Sequence, residues 1–407
     1  YHSINDYKDF AYHSIAHLFS GLLWDSEIFY KDKILGMAVD AGPDAVMDFR
    51  SIKKNLYSGC LSDKGAVTVL PVSSPACLWA LSSKVFNLKE GTLMALASAS
   101  TSKAYIEEKA VLHLETTKDM SNLTEYFFDL KKRIDSLTAE DIDIRFNGFD
   151  ERFSENENRI SMVMKEIQRM SDAIMASNVE KMIKEFQIDP REYYLSLSGG
   201  FALNCPSTSY IMKRFGFKGY VAPPCVNDSG LSLGIALYGF YKRNPGISLK
   251  IQLKHPYYGK RDNGLNSVTE SGTYKPYIDS IHEFNKKQAV EDVIKGPVVW
   301  FDTNSEIGPR ALGNRSILGD PRNPETKNEL NRIKQRQWWR PVAPIVLEED
   351  AYTYFENCSS SPFMLRTYRI LEEKLDTIPA VSHLNETARV QTLNSDTNHM
   401  LYSFILE

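Results

Sequence analysis

The feature that most constrains this chain is a long helical-period stripe followed closely by a strand and a glycine turn. Between residues 155 and 186, Ile160, Val163, Met164, Ile167, Met170, Ile174, Met182 and Phe186 fall near one face at helical spacing. The Met-rich stripe reads as a packing surface, because methionine fills irregular core space. Tyr193-Tyr-Leu-Ser-Leu-Ser-Gly-Gly200 follows and predicts a strand ending at a turn. A helix over 206–215, a short strand at Tyr220-Val-Ala and a helix opened by Asp228-Ser-Gly230 continue the alternation. Strands alternating with helices define an α/β domain.

Upstream, the pattern predicts a helix around Phe10 to Leu23 and a buried strand, Ile34-Leu-Gly-Met-Ala-Val-Asp40, that ends on an acid. Gly42-Pro43 then marks a turn. A strand is expected over 64–72 and helix over 75–98 with a break at Glu90-Gly91, while 121–152 is charged and weakly patterned. Downstream, the polar stretch from His255 to about 277 reads as a linker. A second unit opens near 283 with a helix and the strand Pro297-Val-Val-Trp-Phe301. Leu401 to Leu406 reads as a strand cut short, and Tyr1 is not a Met, so both ends are expected to lack sequence.

A length of 407 residues accommodates two or three domains. Hydrophobic residues are 43% and charged residues 25%, which excludes wholesale disorder. The net charge of −4 argues against a sequence-blind nucleic-acid binder. No apolar run approaches the ~20 residues that span a bilayer. The cysteines, Cys60, Cys77, Cys205, Cys225 and Cys358, are scattered and contain no Cys-x-x-Cys pair, which favours a reducing, cytoplasmic setting over a disulfide scaffold.

Several residues can carry chemistry. His13 and His17 stand at i and i+4, so on a helix both imidazoles share one face, as a metal-chelating pair or as a structural or surface pair. Asp40 follows an apolar strand and Asp228 precedes a helix. Carboxylates at such points bind metal–phosphate groups, and Asp228 is equally an ordinary helix cap. Ser198-Gly199-Gly200 after a strand exposes backbone N–H groups suited to a phosphate, with Asn204 four residues beyond Gly200. No Gly-Lys-Ser/Thr follows, so this is not a Walker loop. Ile307-Gly-Pro-Arg310-Ala-Leu-Gly-Asn314-Arg315-Ser316, Lys334-Gln-Arg336-Gln-Trp-Trp-Arg340-Pro341 and Thr387-Ala-Arg389 concentrate arginine in the second unit. Guanidinium forks suit phosphate or carboxylate oxygens, so a small anionic ligand is the functional reading. A solvated charged face is the bland one.

Taken in order, these segments resemble the O-carbamoyltransferases of natural-product and nodulation-factor biosynthesis, typified by tobramycin carbamoyltransferase. The segments that carry the resemblance are Tyr12-His13-Ser-Ile-Ala-His17-Leu-Phe-Ser20, Val39-Asp40, Glu90-Gly-Thr-Leu-Met-Ala-Leu96, Leu197-Ser-Gly-Gly-Phe-Ala-Leu-Asn-Cys205, Pro223-Pro-Cys-Val-Asn-Asp228-Ser-Gly230, His255-Pro-Tyr-Tyr-Gly259 and Gly308-Pro-Arg-Ala-Leu-Gly-Asn-Arg-Ser316. The last is the most specific. Departures include Ala41 after Asp40, Thr92 and Ala95 in the Glu-Gly turn, and the absence of the family's first phosphate loop and final Asn-Thr-Ser-Phe-Asn stretch.

The resemblance implies an α/β protein with a partial actin/sugar-kinase-like (ASKHA) carbamoyl-transfer domain over 1–254 and a linker over 255–282. A YrdC-like carbamoyl-adenylate-forming domain over 283–407 follows, with both outer ends missing. It implies an ATP-dependent enzyme that makes carbamoyl-adenylate from carbamoyl phosphate and ATP, then transfers the carbamoyl group to a hydroxyl of a small-molecule acceptor. It assigns His13, His17, Asp40 and Asp228 to a divalent metal, with iron(II), manganese and zinc all suited to such ligands and magnesium accompanying ATP. Lys334, Arg340 and Arg389 match the adenylate-forming pocket, with Arg310, Asn314 and Arg315 beside it. Ser198, Gly199, Gly200 and Asn204 are expected to cradle nucleotide, and Asp228 is a candidate general base. No nucleic-acid or membrane partner is expected, and the assembly allows a homodimer. The rivals are a threonylcarbamoyl-type tRNA-modification protein, against which the net −4 weighs, and a non-catalytic nucleotide-binding remnant.

Overall fold

Burial of one apolar helix organises the first half of the molecule. The computed structural model describes residues 7–42, 54–107, 110–116, 119–251, 253–261, 264–358 and 360–407. The chain divides into two compact units. The first is Tyr1–Leu253 with Leu365–Thr367 and His383–Asn385; the second is Lys254–Met364, Tyr368–Ser382 and Glu386–Glu407.

In the first unit, helix α1 (Tyr12–Leu22) buries ten of its residues, including both histidines. It is followed by α2 (Ser26–Lys31), capped by the Asp25 carboxylate on the Glu27 and Ile28 N–H groups, and by strand β1 (Lys33–Ala38). Strands β2 (Ser58–Asp63) and β3 (Ala66–Pro71) form a hairpin. Helices α3 (Ala76–Phe86), α4 (Glu90–Ala99), α5 (Met120–Asp135) and α6 (Glu155–Phe186) come next, then β4 (Tyr193–Ser198), α7 (Cys205–Phe215), β5 (Gly219–Tyr220) and α8 (Leu231–Arg243). The five strands make one mixed sheet in the order β3-β2-β1-β4-β5. β1 pairs antiparallel with β2 and parallel with β4, and β4 pairs parallel with β5.

The parallel register sets Ala38 opposite Ser198, so Asp40 and the Gly199-Gly200 turn leave the sheet side by side. The carboxyl ends of parallel strands are where open α/β sheets bind ligands. Gly199 has φ +88°, and a Cβ there would lie 2.3 Å from the Val39 carbonyl oxygen, so this turn admits only glycine. Helix α6 spans 155–186 as the stripe predicts, opened by a capping box between Ser154 and Glu157.

Three sequence expectations for the first unit need correction. The break expected at Glu90-Gly91 falls earlier: α3 stops at Asn87 in the left-handed region, and Glu90 is the first residue of α4. The stretch 121–152 contains α5, whose Leu123, Phe127, Leu130 and Ile134 are buried at helical spacing between charged neighbours. β2 was not foreseen, because Ser58-Gly-Cys-Leu-Ser-Asp has little strand character of its own and is held by β1 and β3 on its two edges. The turn expected at Gly42-Pro43 falls partly outside the described residues.

The second unit contains α9 (Leu265–Glu270), α10 (Lys286–Lys295), β6 (Val298–Phe301), β7 (Arg315–Leu318), α11 (Glu325–Ile333), β8 (Ile345–Leu347), β9 (Tyr368–Arg369), β10 (Thr387–Ala388), β11 (Gln391–Leu393) and α12 (His399–Leu406). β6 pairs antiparallel with β7, β9 antiparallel with β10, and β8 parallel with β11. Residues 255–282, read from sequence as a linker, cluster with this unit and include α9. Leu401 to Leu406 is helix, not strand. The Asn398 side chain accepts from the Leu401 N–H, and Leu401 and Phe404, three apart, are the buried pair. Among the described residues no helix is long and apolar enough to cross a membrane.

Helices α1 and α8 touch at Gly234, where a Cβ would lie 1.9 Å from the Ala16 carbonyl oxygen. That atom is backbone, so the helices must part to admit any side chain. Gly234→Ala is expected to cost about 1–3 kcal/mol in urea unfolding. Gly239→Ala on the same helix, with nothing within 4 Å of the new Cβ, is expected to be neutral or mildly stabilising.

Candidate metal centre and cation cluster

In the first unit the two imidazoles of α1 meet two carboxylates. His13 Nε2 lies 3.1 Å from Asp40 Oδ2 and 3.6 Å from Asp228 Oδ1, while His17 Nε2 lies 2.9 and 3.3 Å from the same two oxygens. The helical i, i+4 spacing brings the rings to 4.7 Å between centroids. His17 is fully buried and His13 nearly so. Asp40 sits two residues past β1, and Asp228 is the first residue of a 3₁₀ turn leading into α8.

The carboxylate of Asp40 is held from several sides. The Ala41 N–H donates to Oδ1 at 2.7 Å, and Ser74 Oγ donates to the Asp40 carbonyl at 2.7 Å. Burial alone raises the Asp40 carboxyl, but His13, His17 and the Ala41 N–H outweigh it and hold the group well below the usual carboxylate range. For His17, burial opposes the charged form, yet hydrogen bonds to Asp228 and Asp40 raise its pKa.

The four residues fit a divalent cation. Their ligand atoms all lie within 4.8 Å of one another. Nitrogen and oxygen donors at ~2.0–2.2 Å from one shared ion stand roughly 3.0–3.4 Å apart. The four N···O separations, from 2.9 to 3.6 Å, bracket that range. Each Nε2 can donate one proton at most, yet each faces two carboxylate oxygens, an arrangement one central cation satisfies better than protons do.

The glycine turn borders this cluster. Gly199 donates its N–H to the Val226 carbonyl at 2.7 Å, Val39 donates to the Ser198 carbonyl at 2.8 Å, and a Cβ on Gly200 would lie 3.1 Å from Asp40 Oδ1. Asn204 caps α7, its Oδ1 accepting from the Ser207 N–H at 3.2 Å.

The second unit gathers cations. Burial lowers the Lys334 ammonium pKa, and the charges of Arg336, Arg389 and Arg340 lower it further. Burial also lowers Arg336, with Arg340 adding to it, and burial lowers Arg340. Four positive groups therefore share one neighbourhood, and Arg336 joins the three that the resemblance assigns. Asn331, at the end of α11, brackets the loop that carries them. Its Nδ2 donates to the carbonyls of Trp338 and Arg340 at 3.1 and 3.0 Å, and its Oδ1 accepts from Arg336 Nε at 2.6 Å.

The arginine-rich loop 307–316 is organised by Glu306, which the sequence reading did not single out. Its Oε1 accepts three backbone N–H groups, from Leu312 at 2.8, Asn314 at 2.8 and Arg315 at 3.1 Å. Nothing marks Glu306 in sequence beyond its place before Ile-Gly-Pro-Arg. Asn314 and Arg315 serve the loop itself. Asn314 donates to the Asn304 carbonyl at 2.8 Å and accepts from Asn398. Arg315 donates to the carbonyls of Asp302, Thr303 and Asn314 and lies 3.6 Å over the Phe301 ring. Arg310 is half-buried in the same loop.

Comparison with known proteins gives these clusters their context. Residues 273–407 match the family described as Carbamoyltransferase C-terminus. Among its relatives, Nodulation protein NolNO of Sinorhizobium fredii is 36% identical over 220 residues, 52% of this chain and 32% of that protein. Nodulation protein U of the same species is 33% identical over 223 residues, 52% of this chain and 36% of that protein. An uncharacterized protein of Synechocystis sp. is 32% identical over 241 residues, 52% of this chain and 39% of that protein. The chain thus spans well under half the length of these curated relatives.

Two outcomes follow. Titration with iron(II), manganese or zinc is expected to show one tight site that weakens at least tenfold in His17→Ala, because one of its four ligands is lost. In the second unit, Glu306→Ala leaves three N–H groups without their acceptor and is expected to cost about 1–3 kcal/mol in urea unfolding, whereas Glu306→Gln keeps an oxygen there and costs less.

Proposed function

We propose that this chain carries out ATP-dependent O-carbamoyl transfer. In this reading the second unit, YrdC-like, makes carbamoyl-adenylate from carbamoyl phosphate and ATP. The first unit, actin/sugar-kinase-like, passes the carbamoyl group to a hydroxyl of a small-molecule acceptor. The observation that carries the reading is the cluster of Lys334, Arg336, Arg340 and Arg389 inside the domain matched by the Carbamoyltransferase C-terminus family. Guanidinium and ammonium groups gathered at one place suit phosphate oxygens, and carbamoyl phosphate and ATP supply them.

The roles follow from charge. Lys334, Arg340 and Arg389, with Arg336, hold the phosphate oxygens of both substrates while water cleaves carbamoyl phosphate to carbamate and inorganic phosphate and a carbamate oxygen bonds to the α-phosphorus of ATP as pyrophosphate leaves it, and Arg310 extends the same field. Asn314 and Arg315 set the shape of the loop that presents Arg310. In the first unit, Ser198, Gly199, Gly200 and Asn204 cradle the adenylate at the ends of β1 and β4. His13, His17, Asp40 and Asp228 hold a divalent ion, which would supply positive charge for the departing adenylate phosphate. The acceptor oxygen bonds to the carbamoyl carbon and loses its proton as the bond to AMP breaks. Asp228, whose side chain is 70% exposed, has room to receive that proton.

The test is pyrophosphate release from ATP, with and without carbamoyl phosphate. Release that requires carbamoyl phosphate and falls at least a hundredfold in Arg389→Ala is the expected result, in line with the ~10²–10³ lost when one preorganised charge-stabilising donor is removed. ATP binding without release would instead identify a nucleotide-binding remnant.

A further inference from the structure

We propose that Asp172 and Gln168 on α6 are positioning residues that fix the direction in which the Asn204 amide faces a bound nucleotide. The proposal rests on the reading of Asn204 as part of the nucleotide cradle.

The four residues form one closed hydrogen-bond network within the first unit. Asn204 Nδ2 donates to Gln168 Oε1 at 3.0 Å. Gln168 Nε2 donates to Asp172 Oδ1 at 2.9 Å and to Ser207 Oγ at 2.8 Å, and Ser207 Oγ donates to Asp172 Oδ1 at 2.5 Å. Asn204 Oδ1 closes the network by accepting the Ser207 N–H at 3.2 Å. Asn204 and Ser207 are buried.

An amide side chain can turn over and exchange its donor for its acceptor, so two amides in series have no intrinsic direction. Here both ends are chemically committed. The Ser207 N–H can only donate, so it requires the Asn204 oxygen. An ionised Asp172 can only accept, so it requires the Gln168 nitrogen. Burial pushes the Asp172 carboxyl up to about 6, which still leaves it ionised at pH 7.5. Its surroundings include a cavity of about 350 Å³, also lined by Arg169, Glu180, Tyr210 and Arg214. With both ends set, each amide has one orientation, and the second Nδ2 proton of Asn204 is the group offered to the nucleotide.

Substituting Asp172 by Asn keeps the shape but introduces a donor. Gln168 can then turn over, present its nitrogen to Asn204, and pull the Asn204 oxygen away from its cap. Glu at 172 is larger but remains acceptor-only. A role in polarity therefore predicts that Glu is tolerated better than Asn, whereas a role in packing predicts the reverse order.

The experiment is titration of the full chain with AMP, the nucleotide part of the adenylate, at pH 7.5 in an Arg389→Ala background that weakens the second unit's nucleotide site, comparing that parent with the same chain carrying Asn204→Ala, Asp172→Asn or Asp172→Glu, with a melting curve for each. Asp172→Asn is expected to weaken AMP about tenfold, near the effect of Asn204→Ala, while melting no lower than the parent. Asp172→Glu is expected to bind within about threefold of the parent. Equal affinity in all 172 variants, or loss in both, overturns the proposal, as does loss only in Glu. A parent that fails to bind AMP, or Asn204→Ala that binds AMP as well as the parent, overturns the nucleotide-cradle reading itself and this proposal with it.

Discussion

The first unit depends on keeping two imidazoles and a carboxylate out of water without leaving any of them uncompensated. His17 is fully buried, and a lone buried ionised group there costs several kcal/mol. The cost is met because α1 places both rings on one face and β1 delivers Asp40 directly opposite them. Asp228 arrives from the other side because α8 lies against α1, and it does so at the distance that Gly234 permits. Helix contact, strand register and charge pairing are thus one constraint. Parting the helices moves Asp228, and shifting β1 moves Asp40.

The second unit solves the opposite problem. Like charges at Lys334, Arg336, Arg340 and Arg389 repel, and the lowered proton affinity of Lys334 and Arg336 records that repulsion along with burial. What keeps their loops in place is a set of groups facing the backbone: Asn331 behind the loop 334–341, and Glu306 beneath the loop 307–316. Neither is a cation, and both spend their hydrogen bonds largely on the main chain. In the proposed reading, a site for an anion is prepared here by ordering its frame before the anion arrives, which is the arrangement that makes charge effective in binding and catalysis.

Much of the architecture was legible because the relevant signals are local. The helix over 155–186 announces itself by apolar period and by Ser154 with Glu157 at its start. The strand into Gly199-Gly200 is marked by an apolar run and the glycines. Signals failed where a short segment takes its structure from neighbours. β2 is a strand because two others flank it, and Leu401 to Leu406 is a helix because Asn398 caps it and only one face is buried. In the basic loops, arginines stand out in a sequence, while the side chains that hold those loops do not. Glu306 and Asn331 look like any polar residue until their partners are known.

The sequence by itself determined the kinds of group available: two histidines one helical turn apart, two acids at element ends, a glycine turn that only glycine can make, and a run of arginines and one lysine near Trp338-Trp339. These are properties of residue type and spacing, which local geometry converts directly into structure. Only the tertiary structure decided which acids meet the histidines, how Gln168 and Asp172 come to face Asn204, and which of the arginines are committed to their own loop. Those relations join residues from different elements, up to 211 positions apart for His17 and Asp228. Such distant partners are chosen by strand register and helix contact, physical facts that no local pattern contains.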